Sequence, residues 1–222
     1  MDTDSRDVVK LVMGLIATIS ALVLSLLIAS ANSSYDQQKN ELNTLSANIV
    51  LLDRTLEFYG PEAKAARDAL RDAVRKTHDR IWSPDGVRPE LLTSTETQRF
   101  AKANIERFLS LSPKTDAERV MLSRAIRISD SITQTRLLMS AQLGSAIAWL
   151  FLTVLIFWIC ALFFGFGLFA RFNATVTLAL LIGALSVACA IFLILELNDP
   201  YHGLLRISDE PLRTAISEID RQ

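Results

Sequence analysis

The residue types that do most catalytic and metal chemistry are scarce in this chain. There are two histidines, His78 and His202, and two cysteines, Cys160 and Cys189. No cysteine or second histidine stands at metal-ligand spacing from either histidine. The HExxH, GxSxG and P-loop patterns, which would place a zinc ion, a nucleophile or a phosphate, do not occur. His78 lies in "KTHDR" on a charged stretch, where a solvated imidazole is expected. Both cysteines sit in long apolar runs, which predicts packed thiols and excludes a disulfide framework in the charged region. These residues predict no enzyme, no metal site and no cofactor.

Three other groups of residues carry chemistry of a different kind. Ala17, Ala21, Ser25 and Ala29 recur at four-residue steps in the first apolar run, and Gly14 and Thr18 add further small or polar surface. Small residues let helices approach closely in lipid, and hydroxyls on a pore wall can meet a passing ion. Gly14, Thr18, Ala21 and Ser25 therefore read as a helix-packing stripe or a pore lining. Glu196, Asp199 and Arg206 form a charge cluster at the end of the last apolar run. It either holds the chain's exit from the membrane or presents charge at a pore mouth. Arg171, Phe172 and Asn173 are the whole connection between two apolar runs, a tight membrane hairpin turn. No apolar run has a charge at its centre, which counts against an ion-coupled transporter or a voltage sensor but not against a channel.

The elements that must position these residues are helices in two solvents. Of the 222 residues half are hydrophobic and 21% are charged, which suits membrane-embedded parts joined to water-exposed ones. The net charge of −1 leaves no basic field for nucleic acid. Residues 8–31, 146–170 and 174–197 each reach the length and apolarity of a transmembrane helix. Residues 1–7 form a tail with three Asp, so the first span reads as an uncleaved signal anchor. Three spans put the N-terminus and the hairpin turn on one side, and the polar segment and C-terminus on the other. The weight of basic residues in the short loops favours a cytoplasmic N-terminus and a periplasmic polar segment.

Residues 32–143 read as a four-helix extramembrane domain. Leu42, Leu45, Ile49, Leu52 and Leu56 make a coiled-coil-like seam, stopped by Gly60 and Pro61. A second helix, 61–82, buries Ala66, Leu70, Val74 and Ile81. After the turn-rich 83–89, a third starts at the capping box Thr95/Gln98 and buries Phe100, Ile105, Phe108 and Leu109. A fourth follows the box Thr115/Glu118, with Met121, Ala125, Ile128, Ile132 and Met139 on one face. The 17 Lys/Arg and 15 Asp/Glu of this domain interleave, as on a solvated helical surface. Residues 198–222 are a turn and a short amphipathic helix. Ser208 or Asp209 would cap it, Pro211 suits its first turn, and Leu212, Ala215, Ile216 and Ile219 form its apolar face. The mixed charge of its polar face favours docking on the helical domain over lying on the bilayer.

The stretches "LDRTLEFYGPEAKAARDALRDAV" (52–74), "FGFGLFARFNATV" (164–176) and above all "LELNDPYHGLLRISDEPL" (195–212) resemble the bestrophin-like family of bacterial membrane proteins. In the last block Pro200, Gly203, Arg206, Ser208, Pro211 and Leu212 stand as the family pattern has them. The resemblance implies an all-α integral membrane protein of the bacterial inner membrane and, through kinship to bestrophins, an oligomeric channel-like assembly that conducts anions. The chain differs from many relatives in having one span before the helical domain where they have two. No acidic stretch matches the calcium clasp of animal bestrophins, so calcium gating is not implied. The expected partners are the lipid bilayer, further copies of the chain and a partner membrane protein. The alternative function is a non-conducting sensor or scaffold whose helical bundle binds a ligand or partner.

Overall fold

A computed structural model of the protein describes residues 3–82, 102–103, 106–108, 110–142, 147–169, 173–201 and 204–221. Every regular element among them is helical: α1 (Thr3–Tyr59), a 3₁₀ turn (Pro61–Ala63), α2 (Lys64–Ile81), α3 (Asp116–Gln142), α4 (Ile147–Phe169), α5 (Ala174–Leu197) and α6 (Glu210–Asp220). The chain divides into two compact units, Met1–Tyr35 with Ser145–Asp199, and Asp36–Gly144 with Pro200–Gln222. α1 contributes to both. It contains no proline and, after Gly14, no glycine, so nothing interrupts its 57 residues where polarity changes near Ala31.

In the first unit, α1, α4 and α5 are each long and apolar enough to cross a membrane, by length and composition. Their surfaces are apolar and exposed: Leu11, Leu15, Leu22, Leu26, Phe157 and Leu185 each leave more than half of their area open. That surface calls for lipid as solvent. Inside the unit, Ala31, Ile194 and Leu197 make a small core with Leu24, Leu27, Ile28 and Tyr35 against it. A Cβ on Gly165 would come within 2.7 Å of Met13 Cε, so α1 and α4 approach closely there. Gly183 faces Phe163 across the α4/α5 contact at 3.6 Å, while no described residue comes within 4 Å of a Cβ on Gly167. Gly165 thus receives a side chain of the first span.

In the second unit the α1 seam is the core. Leu42, Leu45, Ile49, Leu52 and Leu56 are all at most 5% exposed. α2 adds Ala66, Leu70, Val74 and Ile81, and α3 adds Ala125, Ile128 and Met139. Of the expected third helix, Phe108 is described and buried, while Thr95, Gln98, Phe100, Ile105, Leu109 and the 83–89 turn lie outside the described residues. Gly60 ends α1 with φ 119° and ψ −173°, a backbone state open in practice to glycine alone. Pro61 then begins the 3₁₀ turn. At α3, Thr115 Oγ1 accepts from the Glu118 amide at 3.1 Å, and the Glu118 carboxylate accepts from the amide of Lys114, one residue earlier than a standard capping box.

Candidate functional site

In the first unit the stripe of small residues faces outward. Gly14, Thr18, Ala21 and Ser25 are exposed, and they follow one another by four, three and four residues. Met13, Ser20 and Ala31 mark the buried side of the same helix. At 3.6 residues per turn the stripe lies roughly a third of a turn round from that side. Thr18 donates its hydroxyl to the Gly14 carbonyl at 3.0 Å, and no described residue comes within 4 Å of a Cβ on Gly14. The stripe is therefore not consumed by packing inside the protein. At the hairpin, Asn173 caps α5, accepting from the Thr175 amide at 3.2 Å, while Arg171 and Phe172 lie outside the described residues. Glu196 is half-buried and Asp199 exposed at the end of α5.

The second unit holds an ionic centre and a cavity. Asp53 is fully buried on α1, one position beside the seam. Arg67 of α2 grips it with two bonds, Nε to Oδ1 at 3.1 Å and Nη2 to Oδ2 at 2.8 Å. Arg71, one turn on, adds its charge at 3.6 Å. The hydrogen bond from Arg67 to Asp53 holds the guanidinium pKa above its usual value. Sequence reasoning missed this centre, although all three residues fall in the 52–74 block. The available signal was a carboxylate four residues after Ile49 and three before Leu56, inside an otherwise apolar face.

α6 docks here, as its mixed charge predicts. It packs on α2 with Leu212, Ala215 and Ile219 at most 2% exposed. Arg75 pairs with Asp220 at 2.7 Å and Arg54 with Glu218 at 2.5 Å. Ser208 caps the helix, accepting from the Glu210 amide at 3.2 Å, while Pro211 fits the first turn. Asp209, the other candidate cap, is used elsewhere: its carboxylate lies 3.1 Å from His78 Nε2. His78 is therefore not the solvated imidazole its charged surroundings suggested. Its side chain is 21% exposed, between Asp209 and Asp79 and stacked on Trp82 at 5.5 Å. Trp82 Nε1 in turn donates to the Ile207 carbonyl at 3.4 Å. The Ile207 amide donates to Pro200 O at 2.7 Å, which closes the turn from which Arg206 projects, exposed. His202 and Gly203 lie outside the described residues.

Beneath α6 is a partly open cavity of about 60 Å³, walled by apolar side chains of α1, α2 and α3 and by Leu212. Its polar groups are Arg136, Thr77, Ser129, Thr133 and Tyr201. Arg136 donates to Thr77 Oγ1 at 3.0 Å, and burial lowers its pKa. Among the described residues no group of three or more His, Cys, Asp or Glu could hold a metal ion.

The model of the bestrophin-like domain matches residues 1–212. The chain belongs to the bestrophin-like family. With its three apolar helices, this makes it a bestrophin-like membrane protein. No curated protein and no solved structure gives a significant match.

Proposed function

We propose that this bestrophin-like protein assembles as a homo-oligomer that forms a pore, with anions as the conducted species, and carries no catalytic chemistry. The observation behind this reading is the exposed Gly14/Thr18/Ala21/Ser25 stripe. Lipid gives helices no hydrophobic reason to associate, so small residues and hydroxyls on a span are used where another helix approaches or where water enters. Membership of the bestrophin-like family supports the anion. The assembly in this reading lies in a bacterial inner membrane, and the charge of the short loops supports a cytoplasmic N-terminus and a periplasmic helical unit. In this reading Glu196, Asp199 and Arg206 shape the field at the membrane boundary.

Planar-bilayer recording of the purified protein tests it. Conductance above that of empty bilayers, with a reversal potential that follows the chloride gradient, is expected. No conductance for any anion or cation sinks the proposal. The opposing reading, a non-conducting sensor or scaffold, gains if crosslinking in membranes recovers a stable hetero-partner and no bilayer current is found.

A further inference from the structure

We propose that the cavity beneath α6 is a binding site for a small organic monocarboxylate. Two donors point to it. Arg136 is part-buried, and Thr77 is its one hydrogen-bond partner among the described residues. No carboxylate among them lies within ion-pair distance of it, whereas Arg67 and Arg71 of the same unit share Asp53. Tyr201 is 8% exposed, and its hydroxyl has no hydrogen-bond partner among the described residues. Buried hydroxyls and guanidinium groups are ordinarily satisfied, and a buried cation is ordinarily paired. Both of these groups line the same cavity.

The rest of the wall selects the ligand. Ile49, Leu52, Leu70, Val74, Met139 and Leu212 offer nothing to a hydrated ion but suit a short hydrocarbon. A planar carboxylate can take two parallel N–H bonds from Arg136 and an O–H bond from Tyr201, while its carbon chain fills the apolar part. A neutral apolar molecule would leave the cation unpaired, and a bare inorganic anion would leave the hydrocarbon wall empty. One water needs about 10–15 Å³ of such space, so a cavity of about 60 Å³ fits a ligand of a few non-hydrogen atoms. Tyr201 and Leu212 both come from the C-terminal segment, so an occupied cavity holds that segment more firmly. The inference does not depend on conduction.

The test uses the full-length protein in detergent, titrated calorimetrically with sodium acetate, propionate, butyrate and hexanoate. Butyramide and sodium chloride serve as controls. Saturable binding of at least one carboxylate is expected, with no binding of butyramide or chloride and slower amide exchange in α6 on occupancy. Arg136→Gln should weaken the binding by about tenfold or more, and Tyr201→Phe by a few-fold, as the loss of a charged and a neutral hydrogen bond requires. The proposal is overturned if no carboxylate binds up to tens of millimolar, if butyramide or chloride binds as well, or if Arg136→Gln binds normally. Should Arg136→Gln fail to fold, Tyr201→Phe decides, and unchanged affinity in that variant overturns the proposal.

Discussion

Asp53 is the residue on which the helical unit turns most sharply. Its carboxylate is fully buried and gripped by Arg67, itself 15% exposed. Removing one partner of such a pair strands the other's charge, a loss of about 3–5 kcal/mol, while replacing both by apolar residues is often near neutral. Asp53→Asn should therefore lower stability by that amount in chemical denaturation. Asp53→Leu combined with Arg67→Met should recover most of it, and equal instability of the single and double variants would refute the pairing argument. Gly60 makes a second residue-scale case. A Cβ there would meet Glu62 Oε2 only at an ordinary 3.5 Å, so crowding is not the constraint. The constraint is φ 119° with ψ −173°, and Gly60→Ala should cost about 1–3 kcal/mol for backbone strain. Unchanged unfolding would show that the turn adopts another conformation.

At the scale of elements, α6 is held by burial more than by its ion pairs. Leu212 and Ile219 are buried, whereas the Arg54–Glu218 pair is nearly half exposed on both sides. Truncating a buried Leu or Ile to Ala costs about 2–5 kcal/mol, and an exposed pair contributes less than about 1 kcal/mol. Leu212→Ala should thus release α6, seen as faster amide exchange and proteolysis of the C-terminus, while Arg54→Ala should leave both nearly unchanged. The reverse ranking would mean that charge docks the helix. The element was legible in advance because Pro211 and its apolar positions repeat at helical spacing. The partner of Asp209 was not, since His78 stands 131 positions away.

At the scale of the whole molecule, the exposed stripe of α1 bears on assembly. No described residue lies within 4 Å of a Cβ on Gly14, so a larger side chain there meets no obstacle among them. Gly14→Leu should leave the unfolding of the helical unit unchanged and reduce the oligomer measured by light scattering in detergent. An unaltered oligomer would remove the stripe from the interface. What the sequence by itself determined are the properties carried by neighbours in the chain. Apolar length set the three spans, a glycine followed by a proline set the end of α1, and helical periodicity set the seam and the docking face of α6. Tertiary structure alone decided which charges meet and where space remains. Arg67 reaches Asp53, Arg136 reaches Thr77, and Tyr201 and Leu212 close over a cavity lined by α1, α2 and α3. The physical reason is that periodicity records which face of a helix avoids water. An ion pair or a void depends on how faces distant in sequence are brought together, and no local pattern encodes that.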